Sequence, residues 1–266
     1  MELQFCPLFS GSSGNSVYVG YGDTHILIDA GVSCKKLMLE LDSIGVSPDS
    51  ISSILITHEH SDHISGAGVF TRKNSCDIYA TNETWTAMKG SLGKVENAHI
   101  REIVPDEDFF IGQLNIRPFS TPHDAAGSVG YVITAPDGAS LALATDMGYA
   151  SRNCVSAITG ANAVLLEFNY DEDMLMFGPY PYDLKRRIRS NKGHLSNADG
   201  ADLACKLVKN GTKCLVLSHL SKENNMPEIA MQVCKTRLEE ENLSANVTVA
   251  RRDGNSGMFT VKGEWE

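Results

Sequence analysis

A short apolar run, Ile51 to Ile56, empties into Thr57-His58-Glu59-His60-Ser61-Asp62-His63, and this junction constrains the fold more than any other stretch of the chain. The run is brief, aliphatic and bounded by polar residues, which reads as a buried strand. The motif is then the turn leaving its carboxyl end. Each imidazole offers a nitrogen lone pair and the carboxylate offers oxygen, so four metal-capable groups in one turn point to metal binding rather than packing. Residues two apart in extended chain face the same way, so His58 and His60 can grip one ion together. Asp62 and His63 come where the chain starts to turn into a helix and can face a second ion. Of the eight histidines in the chain, three fall within this turn, which makes a chance His-rich loop a poor account.

One loop cannot complete a two-metal site, so the remaining ligands are expected at other strand ends on the same sheet edge. The strand His25 to Ile28 closes on Asp29. Leu114 to Phe119 leads into Ser120-Thr121-Pro122-His123-Asp124. Leu141 to Ala144 ends in Thr145-Asp146, Ala163 to Leu166 in Glu167, and Cys214 to Leu217 in Ser218-His219. Singly, each reads as a helix cap, a turn residue or a surface group. Their recurrence at five strand ends carries the argument. His25 and His99 lie inside strand-like runs and read as structural.

The order Asp29, His58-x-His60-x-Asp62-His63, His123, Asp146, His219 resembles the metallo-β-lactamase superfamily over nearly the whole chain. Narrower segments resemble its YycJ/WalJ branch, which is similar to ribonuclease Z and the nuclease-type members. These are Ser10-Gly11-Ser12-Ser13-Gly14-Asn15-Ser16, Leu166 to Asp171, Gly193-His194-Leu195-Ser196-Asn197, and Leu217 to Asn225. The resemblance implies an α/β (α+β) chain folded as an αββα sandwich, two packed mixed sheets flanked by helices. It implies two divalent ions, zinc or manganese, the first on His58, His60 and His123 and the second on Asp62, His63 and His219. Asp146 would bridge them, with Asp29 behind the ligands as an orienting group. Glu167 and His194 match a proton-handling pair. The stretch between Asp146 and His219 is too short for the inserted domain of the DNA-repair and ribonuclease J members, and no tRNA-gripping arm of the ribonuclease Z type is visible.

The mechanism expected from these residues is phosphodiester hydrolysis by a metal-bridging hydroxide, with Asp62 aligning the nucleophile and His194, oriented by Glu167, protonating the leaving oxygen. DNA is the expected substrate, with 5′-to-3′ exonuclease action as the form that the resemblance implies, and RNA is the alternative. Hydrolysis of a small phosphodiester such as a cyclic nucleotide, of a thioester or of a lactone is the rival enzymatic reading. A metal-dependent regulatory protein is the non-enzymatic one.

Net charge is −10, which argues against broad, nonspecific adhesion to nucleic acid. Against that background Lys185, Arg186, Arg187, Arg189 and Lys192 stand out, because they lead directly into His194. They read either as a solvated helix face or as contacts to a nucleic-acid strand. The glycine-serine loop lacks a following lysine, so a tight hairpin beside the site is expected in place of a nucleotide triphosphate cradle. The seven cysteines are scattered without a Cys-x-x-Cys, which fits a reducing cytoplasm. Neither a signal peptide nor a membrane span is expected, and 266 residues suit one undivided domain. Asn82 is expected to cap a helix reaching Met88, and Val247–Ala250 and Met258–Val261 to close the second sheet.

Overall fold

Strands β1 (Leu3–Phe9), β2 (Ser16–Tyr21) and β3 (Thr24–Ile28) form an amino-terminal antiparallel meander. Helix α1 (Cys34–Ser43), capped by Ser33, then carries the chain over to β4 (Ser53–Leu55), parallel to β3. Helices α2 (Ser61–Ile64) and α3 (Ala67–Asn74) lead to β5 (Asp77–Thr81), and α4 (Asn82–Met88) to β6 (Ile100–Ile103), both parallel. The cap of α4 is Thr81 rather than Asn82: its hydroxyl accepts from the Thr84 N–H at 3.2 Å, and Asn82 is already helical. This computed structural model describes residues 1–263; the last three residues of the expected domain, 264–266, lie outside the described residues.

The second sheet repeats the plan. Strands β7 (Phe109–Ile111), β8 (Leu114–Ser120), β9 (Val129–Thr134) and β10 (Ser140–Ala144) run antiparallel. Its parallel half follows: α5 (Arg152–Ile158), β11 (Ala163–Glu167), α6 (Glu172–Phe177), α7 (Tyr182–Ile188), α8 (Asn197–Lys209), β12 (Cys214–Ser218), α9 (Pro227–Glu240) and β13 (Asn246–Val249). The final strand, β14 (Phe259–Val261), departs from expectation. It crosses back to the first sheet and pairs with the free edge of β1, where Phe259 stacks on Phe5 at 4.9 Å between ring centres. Local sequence encodes a strand there but not its partner.

Three apolar clusters separate four layers. Phe5, Val19, Ile28 and Leu55 meet Tyr131, Leu141, Leu165 and Val216 between the sheets. Leu37, Leu41 and Phe70 pack on Leu27 and Ile54 outside the first sheet. Leu203, Leu207 and Leu238 pack on Val164, Leu166 and Leu217 outside the second. Neighbours in a strand thus enter different cores, as Leu27 and Ile28 do, so the central strands are apolar throughout instead of alternating. The result is the αββα sandwich. Among the described residues no helix is long and apolar enough to cross a membrane.

The sheets are joined where β4 ends. The Tyr131 hydroxyl donates to the Ile56 carbonyl at 2.6 Å, and the Val129 N–H donates to the Thr57 carbonyl at 3.0 Å. Beside them a Cβ on Gly31 would stand 1.6 Å from the Asp62 carbonyl oxygen, so only glycine lets the β3 end approach the His-rich turn.

Candidate metal centre

Parallel strands release their carboxyl ends on one side of a sheet, which is where open α/β folds place their sites. Both sheets do so here, and the two edges face each other. Asp29 follows β3, the His58–His63 turn follows β4, and His123 lies beyond β8. Asp146 follows β10, Glu167 ends β11 and His219 follows β12. Three of these residues sit in the left-handed region, Asp29 at φ 61°, Asp146 at φ 58° and His219 at φ 58°. Such positions cost about 1–3 kcal/mol each and persist where surrounding contacts overdetermine them.

Those contacts are on the inward histidines. His63 Nδ1 lies 2.8 Å from Asp29 Oδ2, and Asp29 also accepts from the Thr57 N–H at 2.8 Å and its hydroxyl at 2.9 Å. His123 Nδ1 lies 3.1 Å from the Gly193 carbonyl, which can only accept, so this nitrogen carries the proton. His219 Nδ1 lies 3.0 Å from Glu167 Oε1, and its backbone N–H donates to Ser10 Oγ at 2.8 Å. In each case an outer acceptor holds Nδ1–H and turns Nε2 inward, the arrangement that supports metal-ligating histidines. His58 Nε2 and His60 Nδ1 stand 3.0 Å apart.

Whether a cation fits is decided by unpaired atoms. His123 Nε2, Asp146 Oδ2 and His219 Nε2 are buried without a hydrogen-bond partner. Buried polar atoms are normally paired, and converging lone pairs are what a cation satisfies. His58, His60 and His123 each bring one ligand atom within 4.8 Å of the others, as do Asp62, His63 and His219, and also His58, His63 and Asp146. The residues present therefore fit a divalent metal.

Burial lowers the His58 and His123 rings, favouring the neutral form that a metal takes. Burial also opposes charge on His63 and His219, but Asp29 and Asp146 lift the first to about 9, and Asp146 and Glu167 lift the second to about 10. Burial pushes the Asp146 carboxyl up, and the surrounding rings overcome it and hold the group well below the usual carboxylate range.

Glu167 and His194 stand beside this cluster. Glu167 Oε1 lies 2.7 Å from His194 Nδ1, and Oε2 accepts from the Met147 and Leu195 N–H groups. The His194 side chain keeps 21% exposure and lines a crevice of about 210 Å³ above the cluster. Ser12, Asp124, Asn169, Tyr180 and Arg187 line it too.

The structure gathers all ten residues expected at the centre or beside it. It divides the basic stretch. Arg187 reaches the crevice and pairs with Asp124. Lys185 Nζ donates to the Met176 and Gly178 carbonyls, Arg186 pairs loosely with Asp183 at 3.7 Å, and Arg189 reaches the Met176 sulfur. Several participants carry little or no signal in the sequence. Thr57 links Asp29 to two rings, the Asn15 amide reaches Asp62 and His63, and Asn169 holds the His219 carbonyl. Asn15 had a signal, because its loop is the one expected beside the site. A lone threonine at a strand end had none.

The beta-lactamase superfamily domain matches residues 24–220, the span from β3 to just beyond His219. The chain is 42% identical over 249 residues to the exodeoxyribonuclease WalJ of Streptococcus pneumoniae, covering 92% of this chain and 91% of that one. It is 39% identical over 243 residues to the exodeoxyribonuclease YycJ of Bacillus anthracis, covering 91% of each. Among solved structures, the metallo-beta-lactamase fold protein YhfI of Bacillus subtilis superposes with a TM-score of 0.74 at 17% identity, over 98% of this chain and 100% of that one. Family match, full-length relatives and shared architecture agree with the edge-to-edge site: the chain belongs to the metallo-β-lactamase superfamily, in the branch of WalJ and YycJ.

Proposed function

We propose that this protein is a metal-dependent nuclease that hydrolyses phosphodiester bonds of DNA from a strand end. The observation that carries the reading is the Glu167–His194 pair, buried on its carboxylate side and open on its imidazole side, next to a metal-fitting cluster. The full-length relatives named exodeoxyribonucleases support it. The site draws on residues from Asp29 to His219, so the chain would work as one catalytic domain. Its seven cysteines are all free, which suits a reducing cytoplasm.

In this reading His58, His60 and His123 would hold one divalent ion, zinc or manganese, and Asp62, His63 and His219 a second, with Asp146 between them. When bound, the ions supply an acidified water and positive charge opposite the phosphate. The Asp62 carboxylate, with 25% of its side chain exposed, accepts a hydrogen bond from the attacking water and aligns it. His194, with Nδ1 committed to Glu167, uses Nε2 to donate a proton to the sugar oxygen as its bond to phosphorus breaks. Arg187 sits where a non-bridging phosphate oxygen can exchange for Asp124 as its partner.

The test is a panel of end-labelled single- and double-stranded DNA and RNA, incubated with zinc or manganese and analysed for product ends. Stepwise shortening of DNA is expected. Failure on every polynucleotide, with turnover of a small phosphodiester, a thioester or a lactone, would move the protein to the small-molecule class that the modest crevice also accommodates.

A further inference from the structure

Helix α7 is a wall with two sides. Leu184, Arg187 and Ile188, at helical spacing, line the crevice. Tyr182, Lys185, Arg186 and Arg189 turn the other way and, with Met176 from the end of α6, line a second hollow of about 470 Å³. Phe177, the last residue of α6 and the neighbour of Met176, is 88% exposed, the most of any large apolar residue among those described, and Tyr182 is 76% exposed. One ring closes α6 and the other opens α7, and two uncovered rings this near in the chain are unusual on a protein surface. They are held in place, because Lys185 ties the end of α6 to α7 through the Met176 and Gly178 carbonyls. Lys185, Arg186 and Arg189 line the hollow with Tyr182, in a chain whose net charge is −10, and Asp183 is the acidic neighbour that pairs with Arg186.

We propose that this outer face of α7 is a rail for single-stranded nucleic acid, resting on the nuclease reading of the crevice behind it. Phe177 and Tyr182 each stack an unpaired base, and Arg186 and Arg189 hold the adjoining phosphates. Aromatic rings on a cationic track bind single strands, because every base has a face to stack, whereas a duplex hides those faces. Charge complementarity selects a polyanion over an apolar protein partner. The rail is continuous with the crevice, since a strand whose terminal linkage lies against His194 needs only to cross one helix, about 10 Å wide, to reach Tyr182.

The double variant Phe177→Ala/Tyr182→Ala tests this, since both side chains are too exposed to matter to the fold. Metal-loaded protein is titrated with a fluorescent phosphorothioate oligothymidylate, which resists cleavage, and followed by anisotropy. Each ring removed should weaken binding roughly 5- to 150-fold. On cleavable single strands KM should rise with kcat kept, and a nitrophenyl thymidine phosphodiester should be turned over as by the wild type. Tyr182→Phe, which keeps the ring, should bind normally. Unchanged oligothymidylate binding in the double variant overturns the rail. So does an equal loss on the small ester, which would place the fault in the crevice, or a change of oligomeric state without loss of binding. A wild-type protein that cleaves no polynucleotide yet binds oligothymidylate through these rings would sink the nuclease reading and leave the rail standing.

Discussion

In the first sheet a single turn after β4 supplies His58, His60, Asp62 and His63, whereas the second sheet supplies His123, Asp146 and His219 one at a time from the ends of β8, β10 and β12. The sheets share a plan, each with an antiparallel half and a parallel half. The difference lies in what positions the side chains. The turn carries its own bonds, such as the His63 N–H to the His60 carbonyl at 2.9 Å and Thr57 against two rings. The second-sheet residues depend on strand register, in which Glu167 stands opposite Ser218 and one step before His219. They depend too on distant acceptors, Ser10 and the Gly193 carbonyl. A site half is thus either a local motif or a product of the whole sheet, and the two should fail differently.

Asp146 is the place to break the comparison, because its carboxylate lies 3.6 Å from His63 Nε2 of one half and 3.7 Å from His123 Nε2 of the other. Asp146→Ala should strip both ions and lower activity by at least roughly 10²-fold, since even a residue behind the ligands is worth 10–100-fold in metal affinity. Asp146→Asn tolerates the same backbone and isolates the charge. Metal analysis that found full occupancy in both variants would dissolve the bridge between halves. His194→Ala should keep metal and fold and slow the reaction by roughly 10²–10⁴-fold, with a smaller loss on a nitrophenyl ester whose leaving group needs no proton. Equal losses on the two substrates would make His194 a binding residue.

Asp29→Asn probes the local half alone. It should weaken by roughly 10–100-fold the ion assigned to Asp62, His63 and His219 and leave the one assigned to His58, His60 and His123 firm, so the protein should retain one ion more firmly than the other. Simultaneous loss of both, seen by titration with a competing chelator, would show that the halves are not separable.

The smallest effect is on pH. In metal-free protein His63 and His219, one from each sheet, are raised to about 9 and about 10. The stability this gives is complete below the ordinary imidazole value and is lost as pH climbs through 9 and 10. Chelated protein should therefore melt lower at alkaline pH than at neutrality. Loading with metal at neutral pH must displace these protons, about two in all. Calorimetry in buffers of different ionisation heat measures that release, and Asp29→Asn should remove the first sheet's share.

The same contrast governs what could be read from the chain. His58 to His63 is unmistakable because its function is packed into adjacent positions. Asp146 and His219 are ordinary residues after ordinary strands, and only their recurrence marked them. The αββα layering was what the family resemblance implied, and the apolar strand runs agreed with it. The partner of β14 did not, because pairing with β1 is decided by Phe259 meeting Phe5 across the length of the chain. Thr57 and Asn169 escaped for a similar reason, since their bonds depend on neighbours that only folding brings near. Helix α7 was legible as a charged stretch but not as a two-sided wall, since its seven residues bury none of their side chains.

The bond from the His219 N–H to Ser10 spans nearly the whole chain, and it has a consequence in time. A ribosome adding about 5–20 residues per second needs roughly eight to thirty seconds to pass from His63 to His219. During that interval the residues of the His58–His63 turn have been synthesised, whereas His219 has not. A nascent chain therefore offers only part of the donor set, and on such a part divalent-ion affinity would follow the general series that peaks at copper. Selection by the complete set of donors can begin only once His219 has joined it.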